Sequence, residues 1–311
     1  MHYQNRPRES FNKFAFLICP KMPKHFRLWT LSNPKWLLLL TMLVVNLFNG
    51  SIISSANASD MKNSLQIKAA DEIEAKREYL KHIIGQQERL LTSLVDTPFM
   101  NAYIAKNQDS DRDRLSELFL TAAAINRHYM QVRFIDAQGQ EKIRIEQSNN
   151  NLAPVIIKEA ALQDKSSREY FSATQKTPAG ELWHSPFDLN IEQGAIEQLI
   201  KPTYRIAHPV YFDGAFSGMV IINLDMTYVL NYLTESNNFL VYLVDSDNEL
   251  LIHPDPKKSW SKYLPGRSKY LQTTALTSEN MTHSLEDIFK NGEGIRIILR
   301  EKMSNESSTK D

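Results

Sequence analysis

Residues 131–146 read QVRFIDAQGQEKIRIE, and this stretch decides the fold. Apolar side chains alternate at Val132 and Phe134, Ile135 follows, and alternation resumes at Ile143 and Ile145. A period of two marks strands. Asp136 to Gln140, with Gly139 inside it, is a turn between them, so the stretch predicts an antiparallel hairpin. Residues 239–253, FLVYLVDSDNELLIH, set out the same strand, Asp-containing turn and strand a second time. No close sequence repeat accompanies this pairing, so the expectation is two related modules in tandem.

Working outward from the first hairpin, Asn149–Asn151 reads as a polar loop, Ile156–Gln163 as a short helical segment, and Ser167–Gln175 as another helix with Ser166 or Ser167 able to cap it. ELWHS, TYRIAHPVYF and AFSGMVIINL then read as strands, the last two joined by Asp213-Gly214, a strong hairpin signal. Met226–Leu233 is a predicted connecting helix. On the other side, apolar residues from Leu65 to Val95 recur at helical spacing, predicting a long amphipathic helix from Asp60 towards Lys106, broken at Thr97-Pro98. The charge run DSDRDR (109–114) is expected to cap a second helix over Leu115–Arg127.

The N-terminus has a different composition. Residues 1–58 hold seven of the 36 basic residues and one of the 36 acidic ones, and the basic flank is followed by WLLLLTMLVVNLF (36–48). A basic flank before an apolar run directs the downstream chain across a membrane. Thirteen residues suit a signal peptide, and Ala56-Asn57-Ala58 is a cleavage pattern; the long flank and the extension to Ile53 suit a retained anchor. Both readings stand. The exported remainder is acidic, which disfavours nucleic acid as a partner. The single cysteine, Cys19, precedes the apolar run, so the remainder has neither a disulfide framework nor a thiol nucleophile.

Chemistry has few footholds. Eight histidines are present, His184, His208 and His253 beside strands, without metal-ligand spacing, and no phosphate loop, nucleophile elbow or dinucleotide fingerprint occurs. Arg168, Tyr170 and Phe171 at a helix start are a different matter. A guanidinium fork beside aromatic walls can take a carboxylate, although the same rings can simply pack on a sheet while the arginine closes a surface ion pair. Lys201, Arg205 and Asp225 each allow a structural role, and Asp225 can cap the helix from Met226. In SPFDLNIEQGAIE (185–197), Asp188 and Asn190 can face a ligand or fix the loop by side-chain to backbone bonds.

Taken in order, QVRFIDAQGQEKIRIE, LQDKSSREYF, SPFDLNIEQGAIE, KPTYRIAHPV and GMVIINLD resemble the extracytoplasmic double Cache (PAS-like) sensor region of bacterial histidine kinases and diguanylate cyclases. The resemblance covers roughly residues 60–255. It implies an α+β fold in which a long N-terminal helix packs along two antiparallel-sheet modules, the membrane-distal one holding the ligand. The divisions it implies are a basic segment 1–35, an anchor or signal peptide 36–58, a helical stalk 59–130, a distal module 131–235, a proximal module 236–303 that is either complete or truncated, and a polar tail 304–311. It also implies a ligand site built from Arg168, Tyr170, Phe171, Trp183, Asp188, Asn190, Arg205 and Asp225, with no metal, cofactor or catalytic group. The partners it implies are a small molecule such as a carboxylate or amino acid, a second copy of the chain, and a separate output protein.

The sequence departs from the amino-acid-binding branch at Tyr170, where a tryptophan is usual, and in an extended DLN loop. No kinase or cyclase motif comes after GIRIILREK within these 311 residues. The expectation is therefore a non-enzymatic sensing module without its output domain, with a free periplasmic binding or adaptor protein as the alternative. A hydrolase using Asp188, Glu192 or His184 would require two suitably spaced carboxyls in one cleft.

Overall fold

The computed structural model describes residues 34–147, 153–192, 195–196, 200–267 and 281–302. The expectations for the basic segment up to residue 33, the loop 149–151 and the tail 304–311 lie outside them. The chain divides into two compact units, Met1–Gln66 and Ile67–Asp311. The described part of the first unit is helical and forms the beginning of helix α1, Pro34–Val95. Among the described residues, no helix is long and apolar enough to cross a membrane.

In the second unit α1 buries Ala69, Ile73, Lys76, Leu80, Ile84, Gln87, Leu91 and Leu94. Steps of three and four place all of them on one face of a helix. The two polar members have partners: the Lys76 ammonium donates to the carbonyls of Glu235 (2.6 Å) and Tyr232 (3.4 Å), and Gln87 accepts from the Tyr129 hydroxyl. The helix stops where Pro98 predicts. Thr97 caps α2, Pro98–Lys106, its hydroxyl accepting from the Met100 amide at 3.1 Å. Helix α3, Asp109–Ile125, begins earlier than expected, since DSDRDR lies inside it. Asp109 and Asp111 are in its first turn, where the exposed N–H groups favour negative charge.

The first sheet is built from β1 (Tyr129–Asp136), β2 (Glu141–Glu146), β3 (Val155–Ile156), β4 (Trp183–His184), β5 (Asp188–Leu189), β8 (Pro202–Phe212) and β9 (Ala215–Asp225), in the order β3-β2-β1-β9-β8-β4 with β5 also on β8. Helix α4, Glu169–Gln175, packs on β8 and β9, and a small hairpin of β6 (Ile191–Glu192) and β7 (Ala195–Ile196) precedes β8. Every pairing in the first sheet is antiparallel. Asp136 closes the first turn, its Oδ1 accepting from the amides of Gln138 (3.0 Å) and Gln140 (2.9 Å). Gly139 sits there at φ 86°, where an added Cβ would lie 2.5 Å from Ser166 Cα. Asp213 and Gly214 both have positive φ, as a two-residue hairpin turn between twisted strands requires.

Two local expectations are corrected. The segment after Pro154 is extended rather than helical, because Ile156 pairs with Ile145 to extend the sheet, and only Glu159–Ala161 makes a 3₁₀ turn. No serine caps α4 either. Its N-cap is Arg168, while the Ser166 amide is taken by Asp164 Oδ1 at 2.8 Å in a preceding turn.

Helix α5, Thr227–Thr234, leads to the second sheet of β10 (Phe239–Val244), β11 (Leu250–Ile252), β12 (Met281–Ser284) and β13 (Arg296–Glu301), with the short α6 (Glu286–Phe289) before β13. Its order, β11-β10-β13-β12, repeats that of the first sheet: hairpin partner, first strand, last strand, penultimate strand. The turn repeats too. Asp245 Oδ1 accepts from the amides of Asp247 (3.0 Å) and Glu249 (2.9 Å), and Asn248 takes the left-handed conformation that Gly139 takes in the first hairpin.

Candidate functional site

Register divides the first sheet into two unlike faces. One carries Val132, Phe134, Ile143, Ile145, Tyr204, Ile206, Ile222 and Leu224, with Tyr103 of α2 set edge-on to Phe134 at 5.8 Å. The other carries Arg133, Ile135, Arg144, Thr203, Arg205, Ala207, Met219, Ile221 and Asn223 and is covered by α4. Side chains alternate across a strand, so the arginines at 133, 144 and 205 fall together on the α4 face. Trp183 pairs with Ala207 and Asp188 with Thr203, which brings both to that face.

At one end of this face Ile135, Ala207, Met219 and Ile221 pack with Tyr170 and Phe171 of α4, and Trp183 leans against them. Beside them lies a buried charge cluster. The Arg133 guanidinium donates to Asn223 Oδ1 (2.8 Å), the Tyr170 hydroxyl (3.2 Å) and Glu141 Oε1 (3.3 Å), and stacks 5.5 Å from the Tyr170 ring centroid. Glu141, with no exposed side-chain surface, also accepts from Arg144 Nη1 at 3.0 Å and from the Gln163 amide at 3.1 Å. Burial lowers the Lys165 ammonium, against the opposing charge of Glu141.

At the other end Arg205 donates to Asp188 Oδ2 at 2.6 Å. Burial raises the Asp188 carboxyl above its usual 3.8 in spite of the charges and hydrogen bond of Arg205 and the further charge of Arg168. Arg168 itself is exposed, its guanidinium 5.9 Å from the Tyr170 ring centroid. Asp188 Oδ1, Arg133 Nε and Arg144 Nε are buried without a hydrogen-bond partner. Arg144 Nε has Glu146 Oε2 at 3.7 Å, which leaves Arg133 Nε on β1 and Asp188 Oδ1 on β5 as buried polar atoms able to engage a further polar group.

The structure thus brings Arg168, Tyr170, Phe171, Trp183, Asp188 and Arg205 to one face. Asn190 comes directly after β5, its amide donating to the Lys201 carbonyl at 2.9 Å. Asp225 closes β9, and its Oδ1 accepts from the Thr227 amide at 2.8 Å, but it is not the N-cap expected from the sequence: α5 starts one residue later and its N-cap is Met226. His184 is on the opposite face, with Nδ1 3.0 Å from the Tyr204 hydroxyl and Nε2 3.3 Å from Glu88 of α1, so it shares no cleft with Asp188. Glu192 lies in β6, and no hydrolytic pair forms from the described atoms of these three residues. Among the described residues, no group of three His, Cys, Asp or Glu side chains is placed to hold a metal.

Sequence reasoning missed Arg133, Glu141, Arg144 and Asn223. Their only signal is the alternation itself, since a charge on the polar face of a strand ordinarily meets water. It takes α4 and the segment through Gln163 and Lys165 to bury them.

No curated protein matches the sequence. Among solved structures, the chain is similar to a domain of a sensory box/GGDEF family protein from Vibrio parahaemolyticus, at 21% identity over 75% of this chain and 94% of that one, with a TM-score of 0.65. It is also similar to the sensor domain of the V. cholerae histidine kinase DctB, at 13% identity over 78% and 98% with a TM-score of 0.54. A third is the sensory domain of the Campylobacter jejuni chemoreceptor Tlp3 with isoleucine bound, at 11% identity over 75% and 90% with a TM-score of 0.51. These likenesses establish the α+β sensor fold of a helix and antiparallel sheets. The profile of the bacterial histidine kinase sensor domain matches residues 73–303, nearly the whole of the second unit, and the chain belongs to that family.

Proposed function

We propose that this sensor domain binds a small organic acid or amino acid between α4 and the first sheet, on the outer side of a bacterial membrane to which residues 36–58 attach it. The carrying observation is the Arg168, Asp188 and Arg205 group: one exposed guanidinium, one buried guanidinium, and between them a carboxyl whose second oxygen is buried without a partner. A ligand carboxylate would take the Arg168 fork, and a donor on the same molecule would satisfy Asp188 Oδ1. Tyr170, Phe171 and Trp183 would wall the site and keep water from it. The structure of a relative with bound isoleucine supports this ligand class.

Attachment is supported by the basic flank, the apolar run, and a helix that continues unbroken through Ala56–Ala58. Sequencing the mature N-terminus tests it directly: a start at Ser59 would make the protein a released periplasmic one. Signal would pass through α1, because Gln87 of α1 is bonded to Tyr129 at the start of β1. Its size is bounded by the ligand's differential affinity for the two packings of sheet and helix.

The site is tested by a thermal-shift screen of amino acids, organic acids and amines. A ligand that raises the midpoint of the wild type is expected to lose that effect in Arg168→Ala, which remains folded. An equal shift in both proteins would mean that the pocket is elsewhere.

A further inference from the structure

A cavity of about 1000 Å³ lies between α5 and the second sheet, lined by none of Arg168, Tyr170, Phe171, Trp183, Asp188 or Arg205. That is at the upper end for small-molecule sites, roughly 300 to 1000 Å³. Its apolar wall includes Leu230 of α5, Phe239 and Leu240 of β10, Ile252 of β11 and Trp260, while Pro202 of β8 brings the first sheet to its edge.

Two features distinguish it from a gap between packed elements. Trp260 is a bulky residue at φ 64°, a conformation costing on the order of 1–3 kcal/mol. It is held there by its amide on the Leu251 carbonyl (3.2 Å) and by its own carbonyl, which accepts from the amides of Tyr263 and Leu264. The surrounding turn therefore over-determines a strained backbone at the border of the cavity. The second feature is His253. Its Nδ1 accepts from the Asp255 amide at 2.8 Å, so the neutral ring carries its proton on Nε2 and offers a donor. Burial, with the charge of Lys258 and then that of Arg300 on the same side and Asp255 opposing, lowers its pKa and keeps the ring in that neutral form.

Of the charged side chains lining the cavity, Lys302 is basic and Glu235 acidic, and Asp255, like Lys258 and Arg300, acts on His253 from nearby. Lys302 lines it, its ammonium anchored to the Ser236 carbonyl at 2.6 Å, and Lys258 and Arg300 lie near His253. The acid at its edge, Glu235, has the Lys76 ammonium close by.

We propose that this cavity is a second small-molecule site, taking an organic anion with an apolar body: the body on Leu240, Ile252 and Pro254, the anionic end towards Lys302 and the His253 donor. A ligand there touches α5 and both sheets, so it would act on the joint between them independently of the α4 face.

The test uses the full chain and 8-anilinonaphthalene-1-sulfonate, an anion of this kind whose fluorescence rises in an apolar site, with benzoate as competitor. Wild type is expected to give saturable enhancement that benzoate reverses. Asn231→Trp, which places an indole into the cavity from the exposed side of α5, is expected to weaken binding by about tenfold or more, the loss from roughly 1.4 kcal/mol of contact. His253→Phe, which keeps the ring and removes the donor, is expected to weaken it by about fivefold, as for one hydrogen bond, and it serves if the tryptophan variant does not fold. Saturable enhancement that benzoate reverses is expected to persist in Arg168→Ala, in which the α4 face has lost its exposed guanidinium. Enhancement that does not saturate, wild-type binding by a folded Asn231→Trp or by His253→Phe, or loss of binding in Arg168→Ala would overturn the proposal.

Discussion

Glu141 and Arg168 show how differently charged residues behave across one face of a sheet. Glu141 is enclosed by Arg133, Arg144 and a backbone amide, so removing a guanidinium strands a buried charge. Arg133→Met is expected to cost about 3 kcal/mol in chemical denaturation, whereas Arg168→Ala, at an exposed position, should stay within about 0.5 kcal/mol. Asp188 adds a pH dependence. Its folded pKa is raised, so just above 3.8 the folded chain keeps a proton that the unfolded chain has released, and stability falls as pH rises through that window. Asp188→Asn should flatten this part of the stability profile, measured as denaturation midpoint against pH. Arg168, Tyr170 and Phe171 were legible because guanidinium and rings are adjacent in sequence at a helix start. Arg133, Arg144 and Asn223 were not, because their burial depends on α4, which is contributed from elsewhere in the chain.

Among the elements, α1 makes polar connections to parts of the chain far away in sequence. Arg77 forms a two-pronged pair with Asp287 (3.1 and 2.7 Å), Lys76 takes the last carbonyls of α5, and Glu88 holds both His184 (3.3 Å) and Lys290 (2.9 Å). The His184 hydrogen bond, with that of Lys290, lowers the Glu88 carboxyl below its usual 4.5. The unfolded chain therefore binds more protons just under pH 4.5, and the contribution of Glu88, present above that pH, is lost as pH falls through its folded value. Glu88→Gln should remove this acid-side loss, as read from thermal midpoints between pH 3 and 5. The long helix and its end at Thr97 were legible from the spacing of apolar residues and a proline. The start of α3 was misplaced because a charge run resembles solvent-exposed loop, although acids are favourable in a first turn. Ile156 was misassigned to a helix because a two-residue strand carries no period, and only its pairing with Ile145 makes it part of the sheet.

At the scale of the molecule, the two sheets share strand order and turn chemistry, and α1 is bonded to both: through Gln87 and Tyr129 to the first, and through Arg77, Asp287 and the Ser284 carbonyl to the second. The architecture was legible because the Asp-closed hairpin occurs twice in the sequence. The candidate site between α4 and the sheet was legible only in part, since its buried half depends on register. With α1 common to both, β9 and β13 are expected to lose hydrogen-exchange protection together as denaturant rises, and a wide separation of the two would show independent modules. The most direct test of the central claim is a crystal structure of the domain with the compound that stabilises it most in the thermal-shift screen. The predicted result is a carboxylate within hydrogen-bond distance of the Arg168 guanidinium and a donor on Asp188 Oδ1, between α4 and the first sheet. A compound bound elsewhere, with the α4 face unchanged, would contradict it.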